Sequence, residues 1–317
     1  MKSSKADYRI RGYDGADRAG VNALGSHVVD WWHRDGSNAS LHQVALAGSS
    51  SEIVGHLQVR DRGVPEPSRR PGQCHFSLIV AARHRRRGIG ASLYARLEAF
   101  AFERDARQLW TAYRESANNT AAWFLKSRGF RPLERYFPST CDLLTFDPKD
   151  HWDAVESVET QGIELITYAQ LGDSLDQRRR LYALEESARS VQPFRGVGPY
   201  VPTAYEWWEA EFLSRDPTAV LIARELGAKE LVGVVTGLQW YFTATHPDWC
   251  GRGIATALKV RCMQEAKARG IERMETENHE DNAGMLKINR RLGFVFGEPE
   301  VACVKQIRPD KIGDVCV

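Results

Sequence analysis

Arg85-Arg86-Arg87-Gly88-Ile89-Gly90 reappears in the second half of the chain as Cys250-Gly251-Arg252-Gly253-Ile254-Ala255. Each copy of this glycine loop follows a run of β-forming residues and precedes apolar residues at helical spacing. A Gly-Phe pair follows each copy, at Gly129-Phe130 and Gly293-Phe294. One glycine loop is a weak signal, but two in the same register predict a duplicated domain whose loop is its working part.

The composition is typical of a globular protein with two domains. The chain has 317 residues, of which 43% are hydrophobic and 26% charged, and this length fits two domains of roughly 150 residues each. A formal net charge of +2 argues against a protein built around nucleic-acid backbones. No apolar leader and no run of ~20 apolar residues is present, so we expect a cytoplasmic protein without a membrane segment. The six cysteines have neither Cys-x-x-Cys nor zinc-type spacing, so neither a metal nor a disulfide framework is expected.

The order of predicted elements is the same in both halves. In the first half, strands are predicted at 41–47, 53–59, 74–81, 108–113 and 133–146, with helices from Ile89 past Phe100 and at 122–126, the latter capped by Asn118 or Asn119. In the second half, strands are predicted at 163–167, 219–224, 231–237, 239–245 and 271–276, with helices at 254–266 and, after Asn282 as cap, at 286–291. This order predicts an α/β fold of the α+β type, with a mixed, largely antiparallel central sheet and helices on both faces in each half. We expect an N-terminal domain at 1–147, a linker at 148–162 and a C-terminal domain at 163–317.

The position of each loop before a helix gives it a physical role. A helix N-terminus leaves N–H groups without intrahelical partners and carries about half a positive charge. Glycines let phosphate oxygens reach those N–H groups, so each loop predicts an anion site. A Walker loop needs Gly-Lys-Ser/Thr, which neither copy has, and a dinucleotide fingerprint needs a third glycine where Leu93 and Leu258 stand. The sequence therefore favours a pyrophosphate of another kind.

Both halves resemble the GNAT acyltransferase superfamily, whose signature Gln/Arg-x-x-Gly-x-Gly/Ala binds the pyrophosphate of coenzyme A. The first loop matches at Arg85, Gly88 and Gly90, and the second matches at Gly253 and Ala255 with Cys250 in place of Gln or Arg. The second half also resembles the distal family motif, at Thr276-Glu277-Asn278, Asn282, Met285-Leu286, Asn289 and Leu292-Gly293-Phe294. The tandem arrangement is similar to that of mycothiol synthase and related acyltransferases.

The resemblance implies a donor site for acetyl-CoA or another acyl-CoA in each half, with no metal. The residues it assigns to that site are Leu78, Val80, Arg85, Arg86, Arg87, Gly88 and Gly90 in the first half, and Thr243, Ala244, Thr245, Gly251, Arg252, Gly253, Ile254, Ala255, Asn282 and Asn289 in the second. Arg83 to Arg87 are interpreted as a clamp on coenzyme A phosphates. The alternatives are a solvated loop and a nucleic-acid patch, and the second lacks interleaved aromatic residues.

The family reaction is direct attack of an amine on a thioester in a ternary complex, which needs a base and an acid. Glu277 and His246 are the candidate bases, since they follow or end predicted strands. Many family members place a tyrosine acid on the helix before the Gly-Phe pair, where this chain has Phe124 and Ile288. Tyr241 is the candidate acid in its place. Each of the three has a structural alternative, as a solvated strand end or a core aromatic.

Two classes of function follow from these residues. The first is an enzyme that transfers acetyl, or another acyl group, from coenzyme A to a primary amine of a small molecule. A variant of it takes the acyl group from a carrier protein or an aminoacyl-tRNA. The second is a non-catalytic acyl-CoA binder that regulates a partner, because the helix tyrosine is absent and Cys250 departs from the signature. We expect coenzyme A at both loops and chemistry at the second, with the 192–203 loop as a candidate lid and the Trp207-Trp208 pair near the acceptor.

Overall fold

The computed structural model describes residues 7–25, 40–61, 72–115, 119–193, 200–238 and 242–308. These residues form two units. The first unit holds the residues up to Tyr113, residues 119–133 and residues 302–308. The second unit holds residues 114–115 and 134–301.

The first unit is built on an antiparallel set of four strands followed by one parallel strand. Its elements are β1 (Tyr8–Gly12), α1 (Arg18–Ala23), β2 (Ser40–Ala47), β3 (Ile53–Asp61), β4 (Gln73–Val80), α2 (Ile89–Glu103), β5 (Gln108–Arg114) and α3 (Thr120–Lys126). Strand β4 pairs with β5 only from Gln73 to His75, although β4 runs on to Val80. The two strands therefore separate toward the glycine loop.

The second unit has an antiparallel sheet in the order β10-β9-β8-β7. Its elements are β6 (Arg131–Asp142), α4 (Asp153–Glu159), β7 (Ile163–Thr167), α5 (Tyr168–Leu171), α6 (Leu175–Ser190), α7 (Tyr205–Leu213), β8 (Leu221–Glu225), β9 (Leu231–Val235), β10 (Thr243–Thr245), α8 (Ile254–Ala268), β11 (Arg273–His279), α9 (Ala283–Arg291) and β12 (Val295–Phe296). The last strand is β13 (Glu300–Gln306), whose residues from 302 onward belong to the first unit. Strands β11 and β12 both pair with β6.

Helices cover both faces of the β7–β10 sheet. One core joins the sheet to α4 and α8 through residues such as Val155, Leu258 and Val235. The other core joins it to α6 and α7 through residues such as Leu184 and Trp208. The predicted class, a mostly antiparallel sheet flanked by helices, is confirmed. Of the helices in the described residues, none is long and apolar enough to span a bilayer.

The prediction of a linker at 148–162 is wrong, because this segment is helical and packs in the core. Residues 148–151 form a 3-10 turn and α4 follows, with Val155 and Val158 fully buried against the α8 core. Ala154, Val155 and Val158 have helical spacing, which the surrounding charged residues hide in the sequence. The predicted boundary at 147 also differs from the observed one, because β6 belongs mostly to the second unit. Of the predicted strand at 239–245, residues 239–241 lie outside the described residues.

Truncation of α4 tests its role in the core. We expect Val158→Ala to lower the free energy of unfolding by about 1–3 kcal/mol, because the change leaves a cavity against α8. Urea unfolding followed by circular dichroism measures it. Val191→Ala, at a valine that is 64% exposed, is the matched control and should change stability by less than about 0.5 kcal/mol. Equal effects of the two substitutions would show that α4 is not part of the core.

Candidate active site

The two glycine loops have the same backbone conformation. Gly88 and Gly253 are the N-caps of α2 and α8, with φ of +88° and +89°. Two residues earlier, Arg86 has φ +62° and Gly251 has φ +81°. Each loop also follows a 3-10 turn that begins after the preceding strand, at 82–84 and 247–249. The duplication predicted from the sequence therefore extends to backbone torsions.

Both loops present helix N–H groups to solvent. The first intrahelical bond of α2 runs from Ser92 N to Gly88 O at 3.0 Å, and that of α8 from Ala257 N to Gly253 O at 3.0 Å. The amides before these bonds have no intrahelical acceptor, and the aligned peptide dipoles add positive potential there. Gly88 and Gly253 are exposed. Each loop can accept an anion through its main chain.

The arginines of the first loop make contacts within the protein. Arg83 forms an ion pair with Glu52, and Arg85 donates from Nε to Val80 O at 3.1 Å. The Arg86 guanidinium lies 5.1 Å from the centre of the Trp123 ring. These contacts give three of the five clustered residues a structural role.

In the first unit, side chains of α3 cover the start of α2. A Cβ added to Gly90 would lie 3.3 Å from the Phe124 ring and 3.7 Å from Val80. The Arg128 guanidinium stacks 3.5 Å from the centre of the Phe124 ring, and Tyr94 packs on the same ring with centroids 6.0 Å apart. Aromatic and guanidinium groups thus occupy the space beside the first loop, next to Val80 of β4. Leu78 lies two residues earlier on β4 and is half-buried.

In the second unit, the strand before the loop carries two buried hydroxyl groups. Thr243 Oγ1 and Thr245 Oγ1 have no hydrogen-bond partner in the part of the chain that the structure describes. Ala244 packs into the α6–α7 core, so strand alternation points both threonines to the α8 face. Buried hydroxyls are normally paired, so these two indicate a place for a hydrogen-bonding ligand.

The predicted ligand contact of Asn289 needs correction. Asn289 is fully buried, and its amide is used within the protein: Oδ1 accepts from Lys259 Nζ at 2.6 Å, and Nδ2 donates to Asn278 Oδ1 at 2.7 Å. Asn282 caps α9 by accepting from Met285 N at 3.2 Å. Asn289 thus joins α9 to α8 and β11 and is not exposed, whereas Asn282 closes the first turn of α9, as predicted, and its ligand contact stays a prediction.

Lys259 is a buried amine that the sequence reasoning missed. It is 1% exposed on the core face of α8, and burial lowers the pKa of its ammonium group to about 7. Tyr94 occupies the same position in α2, five residues after the first isoleucine of the helix. Alignment of the two repeats would have shown a charged residue in the place of a core aromatic.

Two of the three catalytic candidates are described by the structure, and they lie in different surroundings. His246 Nδ1 accepts from Asp248 N at 3.3 Å as the cap of the 3-10 turn, and the ring lines a cavity of about 490 Å³ with Arg180 and Glu230. This cavity is on the α6 side of β10, away from the threonine hydroxyls, and the position does not support the predicted role of His246 as base. Tyr241 lies outside the described residues.

Glu277 lies on β11, opposite Pro138 of β6. Partial desolvation and the nearby carboxylate of Glu300 raise the pKa of Glu277 above its ordinary value. Tyr136 is a further neighbour, and its hydroxyl donates to Glu134 at 2.6 Å. Sequence reasoning missed Glu300 and Tyr136, because strand pairing between distant segments brings them to Glu277.

The described residues contain no group of three His, Cys, Asp or Glu side chains arranged as metal ligands. The cysteines among the described residues are free thiols, and Cys250 is exposed in the second loop. Its Sγ lies 3.6 Å from His246 O, whereas Arg85 of the first loop donates to Val80 O, one residue earlier in the equivalent segment. Cys250 therefore keeps a side-chain contact with the segment between the strand and the loop.

The acetyltransferase (GNAT) family model matches residues 12–130 and 178–294, which together make up more than half of the chain. The chain belongs to the GNAT family. Each match contains one glycine loop, so the family assignment and the repeated geometry agree on a tandem GNAT protein.

Solved structures share this architecture. A GCN5-related N-acetyltransferase from Sphaerobacter thermophilus is 22% identical with a TM-score of 0.74, over 97% of this chain and 98% of that one. A tandem GNAT protein from the clavulanic acid biosynthesis pathway is 19% identical with a TM-score of 0.65, over 96% and 99%. A GCN5-related glucosamine N-acetyltransferase region of a fungal enzyme is 15% identical with a TM-score of 0.66, over 95% of this chain and 38% of that one. At these identities the likeness concerns the fold.

The buried amine of Lys259 makes stability depend on pH. Its folded pKa of about 7 is below the ordinary value of 10.5, so the unfolded chain binds more protons between these values. We expect the free energy of unfolding of the wild type, relative to Lys259→Met, to rise as the pH increases from 7. Urea titrations between pH 7 and 9.0 measure this difference. The upper limit is the ordinary pKa of a cysteine thiol, 9.0. A difference that stays constant with pH would show that Lys259 keeps its ordinary pKa.

Proposed function

We propose that the second unit transfers an acyl group, most simply acetyl, from an acyl-CoA to a primary amine of a small molecule. The observation that carries the proposal is the pair of buried hydroxyls of Thr243 and Thr245, which have no partner among the described residues and lie on the strand that leads into the second glycine loop. In the first unit, the Phe124 ring lies beside Gly90 of the loop, and Arg128 stacks on that ring. We therefore assign donor binding to the second loop, although the sequence alone favours coenzyme A at both.

The second loop fits a pyrophosphate followed by an amide-containing arm. The main-chain amides of residues 252–255 lie at the positive end of α8 and suit the pyrophosphate. The Arg252 guanidinium lies 4.4 Å from the centre of the Trp249 ring, and Gln161 Nε2 donates to the Arg252 carbonyl at 3.2 Å. These two contacts hold the loop in place. The threonine hydroxyls of β10 can pair with the amides of the pantetheine arm.

The reaction needs a proton acceptor for the amine. The amine nitrogen forms a bond to the thioester carbon, the carbon–sulfur bond breaks, and the thiolate leaves with a proton from an acid. Glu277 is proposed as the base, directly or through one water, since its raised pKa brings it closer to neutrality, where base catalysis is most effective. Main-chain amides at the start of β10 are proposed to stabilise the oxyanion, and Tyr241 stays the candidate acid.

Matched glycine substitutions assign the donor site. Gly88→Ala and Gly253→Ala place a Cβ at nearly the same positive φ, so they should cause the same local strain. We expect Gly253→Ala to weaken coenzyme A binding in calorimetry by about tenfold or more, which corresponds to ~1.4 kcal/mol. Gly88→Ala should leave that affinity within about twofold of wild type.

Loss of affinity in Gly88→Ala alone would place the donor in the first unit. Thiol release from acetyl-CoA with a panel of primary amines then separates catalysis from binding. Coenzyme A binding with no thiol release from any amine would support the non-catalytic binder instead. Thiol release only with an acyl carrier protein or aminoacyl-tRNA as donor would support the donor variant.

Substitution of the proposed base tests the chemical step. We expect Glu277→Gln to lower kcat by about 10²-fold, the usual contribution of a general base, with little change in coenzyme A affinity. The wild-type rate should fall on acidification at a pH above the ordinary carboxyl pKa of 4.5, and this fall should disappear in the variant. Glu272→Gln, at an exposed residue just before β11, is the control. If the acid limb persists in Glu277→Gln, another group is the base.

A further inference from the structure

A cavity of about 490 Å³ opens beside α6, where β9 begins and β10 ends. Its volume lies within the ~300–1,000 Å³ that small-molecule sites usually have. The residues that line it are four with apolar side chains and three with charged or polar ones: Ala183, Leu184, Ala228 and Leu231, and Arg180, Glu230 and His246. The three polar residues are partly or fully exposed, so a ligand that enters the cavity can reach them.

The first unit shows which of these three residues is unusual, because the β2–β3 turn is equivalent to the β8–β9 turn. Ala47 N donates to Glu52 O at 3.0 Å, and Glu225 N donates to Glu230 O at 2.9 Å, so both turns close over the same number of residues. Both hairpins also have a register shift on the strand before the turn. Glu52 and Glu230 therefore occupy the same position.

The carboxylate at this position is neutralised in the first unit and not in the second. Each 3-10 turn begins six residues before the N-cap glycine of the helix that follows. Counting back five residues from those glycines gives Arg83 and Asp248. Arg83 forms an ion pair with Glu52. The second unit has a carboxylate at the place of this arginine, so its 3-10 turn offers no cation to Glu230.

No other cation replaces the missing arginine. Within the described ranges, neither Arg180 nor the neighbouring Lys229 forms an ion pair with Glu230, and its carboxylate accepts no hydrogen bond there. A carboxylate that is free at the wall of a cavity attracts a positively charged group of a ligand. The first unit uses an arginine for this purpose, and the second leaves the position to a molecule from solution.

The other wall of the cavity offers donors to a negative group. Arg180 is on α6, and its Nε lies 2.9 Å from Asp176 Oδ2, which leaves the two Nη groups of the guanidinium for a ligand. His246 Nδ1 accepts from Asp248 N at 3.3 Å, so the neutral ring carries its proton on Nε2. A guanidinium fork and an imidazole N–H both donate well to a carboxylate.

We propose that this cavity binds a small zwitterion, a molecule such as a free amino acid that carries both an ammonium group and a carboxylate. The ammonium group pairs with Glu230, and the carboxylate accepts from Arg180 Nη and His246 Nε2. The apolar residues of the lining leave room for an uncharged side chain. The site is on the α6 side of the sheet and does not rest on the function proposed for the donor loop.

The probes are L-alanine, L-leucine and L-methionine, titrated into the full chain by calorimetry. Each is compared with the amine that lacks its carboxylate and with the acid that lacks its ammonium group; for L-leucine these are 3-methylbutylamine and 4-methylpentanoate. We expect at least one amino acid to bind with a Kd below about 1 mM. Both of its analogues should bind at least about tenfold more weakly, because each leaves one charged group of the cavity without a partner.

Two substitutions separate the two ends of the ligand. Glu230→Gln should weaken binding of the amino acid by about tenfold or more, and leave binding of the acid analogue within about twofold of wild type. Arg180→Gln should weaken binding of the amino acid to a similar extent, and leave binding of the amine analogue within about twofold. This crossed pattern identifies which group of the ligand each residue contacts.

The chain offers a matched control for each substitution. Glu52→Gln changes the equivalent glutamate of the first unit, and Arg179→Gln removes the same charge from the neighbouring residue of α6, which does not line the cavity. Both should leave the affinity for the amino acid within about twofold of wild type. Far-UV circular dichroism checks that each variant is folded.

Four results would overturn the proposal. One is the absence of binding by all three amino acids up to about 10 mM. Another is an amine or acid analogue that binds as tightly as its amino acid. The third is unchanged affinity in folded Glu230→Gln or Arg180→Gln. The fourth is an equal loss in Glu52→Gln or Arg179→Gln. Since the readout is binding of an amino acid without an acyl donor, none of these results bears on acyl transfer.

Discussion

The left-handed glycine at the start of α2 and of α8 is the constraint on which each unit depends. With φ near +90°, Gly88 and Gly253 turn the chain from a strand into a helix without a steric penalty. The same turn leaves the first helix amides pointing outward, where an anion can bind. Fold and proposed donor site therefore come from one backbone requirement, and any side chain at these positions disturbs both.

Duplication has left the backbone of the two units alike and changed their side chains. Tyr94 and Lys259 share a position, and so do Phe124 and Ile288, yet the first of each pair fills space beside the loop with aromatic atoms.

The sequence predicts the α+β class, the duplication and the loops well, because these follow from periodicity, glycine and register. The sequence does not predict the role of a residue when that role depends on the direction in which the side chain points. Asn289 belongs to a family motif but is buried in a bond to Lys259, and His246 ends a predicted strand but turns to the α6 side. Helix α4 was missed because charged residues conceal the spacing of Val155 and Val158. Neighbours such as Glu300, which reach Glu277 only through long-range pairing, have no local signal.

We propose that the scaffold holds the donor in its second copy only. A crystal structure of the full chain grown with coenzyme A shows which copy binds it. We expect a pyrophosphate on the amides of residues 252–255, with its pantetheine arm along Thr243 and Thr245, and Phe124 unmoved beside Gly90. Coenzyme A on the first loop, with Phe124 displaced, would contradict it.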